Sequence, residues 1–181
     1  MLVSAFGFTE AMLHINYNQT ERDTLKPNVT LFGNFFLLTF EMTKLKPGMT
    51  NTLSGVYFFN DAAIMVPGSE SQLNQVRDML NENPQVKIHI EGHTNGDPKG
   101  DITTIGHSKN YFGITSDQRT RKGSAKELSE ARAEVVKSWL MDHGIASERI
   151  ATFGWGSDKP LVDTKGPLAL RNSRVDVIIV D

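Results

Sequence analysis

Val86-Lys87-Ile88-His89-Ile90-Glu91-Gly92-His93-Thr94-Asn95-Gly96 changes character halfway along. Val86, Ile88 and Ile90 alternate with Lys87, His89 and Glu91, the period of a strand with one face buried. The second half, Thr94-Asn95-Gly96, is turn-forming. The residues before it predict a helix over 69–81. Pro67-Gly68-Ser69 opens it, Ser69 and Gln72 have the spacing of a capping box, and Leu73, Val76 and Leu80 form one apolar stripe. Pro84 ends it, and Val56-Tyr57-Phe58-Phe59 precedes it as a short strand. Downstream, Leu128, Ala131, Val135, Trp139 and Leu140 predict a second helix over 129–143. Gly144 is its left-handed cap, and Ile145 folds back on the last turn. Two further strands follow, at 150–153 and 175–180. This alternation describes an α/β (α+β) fold, a two-layer sandwich of helices on a sheet.

The flanks differ. Residues 1–46 read as a β-rich segment, the end of an upstream β domain or a sheet that packs on something else. Leu13, Ile15 and Tyr17 alternate, and Val29 to Phe32 and Phe35 to Met42 flank a Gly33-Asn34 turn. Residues 47–52, with Pro47-Gly48, read as a linker, and residues 53–181 as one domain. Residues 96–127 read as a long polar loop with an aromatic island at Tyr111-Phe112, inserted where a strand ends and a helix begins.

The formal net charge of −2 gives no global basic field for nucleic acid. With no cysteine, the chain has no disulfide, thiolate metal site or catalytic thiol. No apolar run approaches the ~18 residues of a membrane span. Met1 to Phe8 is apolar but lacks a preceding basic residue, so an export signal is expected to lie outside this sequence. No nucleophile elbow, phosphate loop or paired catalytic carboxylates appear, which argues against an enzyme and against a cofactor. His89, Glu91 and His93 share a strand face that reads as solvated, so no metal is expected.

Three segments carry a family resemblance: Ile88-His89-Ile90-Glu91-Gly92-His93-Thr94-Asn95-Gly96; Leu128-Ser129-Glu130-Ala131-Arg132-Ala133-Glu134-Val135-Val136-Lys137-Ser138-Trp139-Leu140 with Gly144-Ile145; and Phe153-Gly154-Trp155-Gly156 followed by Asn172-Ser173-Arg174-Val175-Asp176. Together, and in this order, they resemble an OmpA-like C-terminal domain. The opening strand Tyr57-Phe58-Phe59-Asn60 also fits. The resemblance implies a βαβαβ-type domain with a mixed four-stranded sheet and a noncatalytic module in the periplasm. It would bind the diaminopimelate of peptidoglycan stem peptides and anchor an outer-membrane or envelope complex to the cell wall. The alternative is a protein–protein interaction module of a periplasmic secretion, motility or adhesion assembly.

The ligand set that the resemblance implies is Arg132, Asn95, Thr94, Arg174, Asn60 and Asp97. Arg132, expected in the first turn of the second helix and facing a shallow polar pocket, would grip a carboxylate with paired hydrogen bonds. A substitution there would leave thermal stability nearly unchanged. Asn95 stands where the family has an aspartate for the ligand's ammonium, and Asp97 or Asp101 would compensate. Ala125 stands where the family often has asparagine. On the residues alone, Arg132 also fits a solvated helix arginine, Thr94 and Asn95 a turn, and Arg174 a partner of a surface acid.

Overall fold

The computed structural model describes residues 2–3, 8, 11–12, 29–32, 35–43, 46–53, 55–96 and 99–180. The chain divides into two compact units, Met1–Leu45 and Lys46–Asp181. In the first, β1 (Leu2–Val3) pairs with β2 (Ala11–Met12), and β3 (Val29–Phe32) pairs antiparallel with β4 (Phe35–Leu38). The alternation at Leu13, Ile15 and Tyr17 and the Gly33-Asn34 turn lie outside the described residues.

The second unit is built on a four-stranded sheet with β7 (Lys87–Gly92) inside it. The other strands are β5 (Thr50–Thr52), β10 (Ile150–Gly154) and β11 (Val175–Val180), in the order β10-β7-β11-β5. β10 runs parallel to β7, whereas β11 is antiparallel to both β7 and β5, so the sheet is mixed. The alternation in β7 sets the register. Ile88 stands beside Ile150 and Ile179, and Ile90 beside Thr152 and Val177. Ile88, Ile90, Ile150, Val177 and Ile179 are all buried, each contributing about 1.5–3 kcal/mol.

That face carries a helix. α1 spans Glu70–Glu82 and α2 spans Ala125–Asp142, and α2 packs on β7 and β10 and against α1. The approach of α2 is close enough to dictate glycine. A Cβ at Gly92 would stand 2.0 Å from the Ser129 carbonyl oxygen, and one at Gly154 would stand 2.6 Å from the Glu130 amide nitrogen. Trp139 and Leu140 on α2 are fully buried, as are Leu73, Val76 and Leu80 on α1. Gly144 ends α2 with φ 91, and Ile145 donates back to the Leu140 carbonyl and is buried, as the sequence predicts.

Four local expectations are corrected. Residues 56–59 form no strand of the sheet; only Phe58 makes an isolated bridge, to Met65. The edge position belongs to β5, within the stretch read as a linker, because Thr-Asn-Thr pairs through its backbone and carries no apolar alternation. Ser69 and Gln72 form no capping box. Ser69 has helical dihedrals, and its hydroxyl bonds both backbone groups of Tyr57, while Gln72 accepts from the Gly55 amide. Both side chains therefore tie α1 to residues 55–57.

The stretch 96–127 is not a simple loop. It holds a hairpin of β8 (Gly100–Thr104) and β9 (Arg119–Gly123), with β8 also parallel to β6 (Ala62–Ala63). Arg119 to Lys122 are exposed on both faces, so their sequence shows no period. The stretch also contains the start of α2, where Ser124 and Glu127 form a capping box. Tyr111 packs down as expected: it is buried, accepts from the Met65 amide, and donates to Asp142 at 2.7 Å.

Gly92→Ala should cost about 3 kcal/mol, because the new methyl meets backbone and not a side chain that can turn away. Chemical denaturation checks this; an unchanged midpoint would contradict the packing described.

Candidate functional site

Arg132 lies on the second turn of α2, not the first, because the helix starts at Ala125. Its side chain is buried, with 6% of its surface exposed, and does not line an open shallow pocket. Nε donates to the Ala62 carbonyl at 3.0 Å, Nη1 to the Ser173 hydroxyl at 2.8 Å, and Nη2 weakly to the Phe59 carbonyl at 3.5 Å. The guanidinium also stacks over the Phe58 ring, 5.0 Å from its centroid. Burial pulls its pKa down to about 10, opposed by the Asp61 carboxylate. The group therefore stays charged at neutral pH. A guanidinium has five N–H donors, and these contacts use three of them.

Asn60 sits exposed in the turn between Phe59 and Ala62, the two residues whose carbonyls face Arg132. The structure thus brings Ser173 and the turn that carries Asn60 to one guanidinium. Sequence reading passed over Ser173 as a site residue, although it lies in the quoted Asn172-Ser173-Arg174 motif. Asp97 lies outside the described residues. Asp101 pairs with Lys122 on the hairpin at 2.8 Å.

Thr94 is buried at the end of β7; its amide donates to the Gly156 carbonyl and its hydroxyl to the Gly96 carbonyl. Asn95 uses both ends of its amide. Oδ1 accepts from Asn172 Nδ2 at 3.1 Å, and Nδ2 donates to the Thr164 carbonyl at 3.4 Å. Asn172 is itself fully buried, and its Oδ1 accepts from the amides of Leu161 and Val162. This pair of asparagines fastens residues 161–164 to the end of β7. Ala125, in place of the family's frequent asparagine, is buried at the start of α2.

Arg174 points elsewhere. Its Nε donates to Asp176 Oδ2 at 3.0 Å, and its terminal nitrogens reach the Lys159 carbonyl at 3.3 Å. His93, also buried, brings Nε2 to 3.4 Å from Asp176 Oδ2. Lys159 lies over the Trp155 ring at 3.5 Å and 3.4 Å from Glu91. Asp176 is thus a buried acid beside Arg174 and His93 on the sheet face opposite α2, since it pairs with Glu91 in register. Among the described residues no group of three acid, histidine or cysteine side chains could hold a metal ion.

Two expectations follow. Arg132→Ala should lower stability by about 2 kcal/mol, contrary to the sequence-based expectation, because it strips donors from the buried Ala62 carbonyl and the Ser173 hydroxyl; thermal melting reads it. The second concerns acid. Burial would raise the Asp176 carboxyl, but His93, Thr52 and Arg174 outweigh it and hold its pKa below the ordinary value. A depressed folded pKa gives stability that is present above about pH 4 and lost as pH falls through the folded value. Asp176→Asn should flatten this acid limb of the stability curve, and an unchanged limb would contradict it.

The comparisons with known proteins agree with the fold. The OmpA family model matches residues 57–174. The peptidoglycan-binding protein ArfA of Mycobacterium tuberculosis is 28% identical over 132 residues, covering 71% of this chain; the match spans 34% of that relative's length. The peptidoglycan-associated lipoprotein of Buchnera aphidicola is 28% identical over 162 residues, 88% of this chain and 77% of the relative. Among solved structures, a putative MotB like protein from Desulfovibrio vulgaris aligns with a TM-score of 0.54 at 22% identity, covering 72% of each chain. The cell wall anchor of the T6SS from Pseudomonas aeruginosa aligns at 0.52 and 19%, covering 73% of this chain and 80% of the other. Those structural matches share the fold, and the family model spans most of the sequence: the chain belongs to the OmpA family.

Proposed function

We propose that residues 53–181 bind peptidoglycan noncovalently through the diaminopimelate of its stem peptide. The module anchors an outer-membrane or envelope complex to the cell wall from the periplasm, and it is not an enzyme. The observation that carries this reading is the charged guanidinium of Arg132, held in place by the Ala62 carbonyl. A ligand carboxylate displaces the exposed Ser173 hydroxyl and the long contact to Phe59, and gains two parallel charge-assisted bonds. The guanidinium is already desolvated and oriented, so little ordering cost remains at binding.

The relatives support peptidoglycan as the ligand. ArfA and the lipoprotein are both named for peptidoglycan. Thr94 and Asn95 shape the wall of the site by fixing the end of β7 to residues 156–164. Arg174 acts at one remove: it neutralises Asp176 and holds the Lys159 carbonyl. The β8–β9 hairpin, with Arg119, Arg121 and Lys122 exposed, favours a second contact with another envelope protein, the reading that stands alone if the wall is not bound.

Cosedimentation with purified sacculi tests this. The wild type should pellet with sacculi, be released by muropeptides that contain diaminopimelate, and liberate no soluble fragments. Arg132→Lys keeps the charge but not the fork, and should bind about tenfold more weakly at 1.5–3 kcal/mol per lost charge-assisted contact. A wild type that stays in the supernatant would remove wall binding and leave the partner reading.

A further inference from the structure

A stem-peptide diaminopimelate ends in a carboxylate and an ammonium, and Arg132 answers only the first. The position expected to answer the second, Asn95, has no charge and spends its amide on Asn172 and Thr164. Among the described acids on the paired strands β7 and β11, Glu91 faces Lys159, and Asp176 is paired with Arg174. Asp101 is paired with Lys122.

Asp61 differs from all of these. It lies between Phe59 and Ala62, in the turn whose carbonyls accept from Arg132. Its side chain is exposed and makes no hydrogen bond or ion pair among the described residues. Its charge is nonetheless felt by the guanidinium. The turn is fixed. Asp61 adopts φ 49, a left-handed conformation that few side chains tolerate, and its carbonyl accepts from the Thr103 amide at 2.9 Å while Ala62 pairs with Thr103 across β6 and β8. The hairpin that sequence alone makes a loop therefore fixes the backbone of the turn whose carbonyls hold Arg132, and the Asp61 carboxylate is carried on that turn.

We propose that Asp61 is the ammonium-binding half of a zwitterion site whose carboxylate-binding half is Arg132, so that the ligand is an amino-acid end group with both charges free. The proposal rests on the wall-binding reading and adds a requirement to it: the ligand's amine must be unblocked. Because Asp61 is exposed, its attraction is screened, and the preference for the free amine shrinks as salt rises.

The test compares wild type and Asp61→Asn as full chains. Asparagine keeps the size of the side chain and tolerates the left-handed turn. The probes are a stem tripeptide ending in meso-diaminopimelate and the same peptide with its side-chain amine acetylated, titrated by calorimetry, with sacculus cosedimentation and thermal melting in parallel. Wild type should bind the free-amine peptide about tenfold more tightly than the acetylated one, and Asp61→Asn should erase that difference with an unchanged melting temperature. Equal affinities of the two proteins for the free-amine peptide, or no discrimination by wild type, overturn the assignment of Asp61. If sacculi still bind in that case, the wall-binding reading survives; if wild type binds neither peptide nor sacculi, both fall.

Discussion

Helix α2 rests on the sheet with no side chain between them at Gly92, where a Cβ would stand 2.0 Å from the Ser129 carbonyl oxygen. Much of the second unit takes its position from this contact. The Gly92 carbonyl accepts from the Trp155 amide, and the Ser129 hydroxyl accepts from the Gly156 amide at 2.9 Å. Gly156 in turn accepts from Thr94. One junction of two glycines and a serine thus joins β7, the end of β10 and α2. Arg132 stands three residues beyond Ser129, about one helical turn along, which carries its side chain to the turn 59–62 and to Ser173.

The charges are arranged in two separate groups. On one side Arg132 is desolvated and held by neutral acceptors, so its charge remains available. On the other, Arg174 meets Asp176 directly, with His93 close by and Lys159 facing Glu91, so those charges are spent within the fold. Two arginines that look alike in sequence therefore do different work: removing one partner of a buried pair leaves an uncompensated charge, whereas an arginine bound by carbonyls can exchange a weak acceptor for a ligand.

What could be read from sequence follows from where the physics leaves a pattern. β7, both helices and β11 each bury an apolar stripe, β10 buries Ile150 at its start, and all were legible. β5 and β9 were not, because an edge strand pairs by its backbone alone, and neither Thr50–Thr52 nor Arg119–Gly123 shows an apolar period. The start of α2 was misplaced for a related reason: Ser124-Ala125-Lys126-Glu127 reads as a polar loop until its capping box is noticed. Family motifs pointed to Arg132 but could not tell a surface arginine from a buried one. Asn95 reads as a lost charge in sequence, yet in space it is an amide clamp on Asn172 and Thr164, a role an aspartate could fill at only one end.

In the proposed complex the Arg132 guanidinium receives the carboxylate of the wall's stem peptide. Side-chain nitrogen NMR of the arginines during titration with a muropeptide that contains diaminopimelate reads this most directly. Arg149, whose Nε and Nη2 are already held by the carbonyls of Val86, Leu80 and Asn83, is the internal reference. The Arg132 resonances should shift saturably, accompanied by the Ser173 amide, while Arg149 and Arg174 stay fixed. Binding with Arg132 unmoved, or shifts confined to Arg119 and Arg121 on the hairpin, would contradict it.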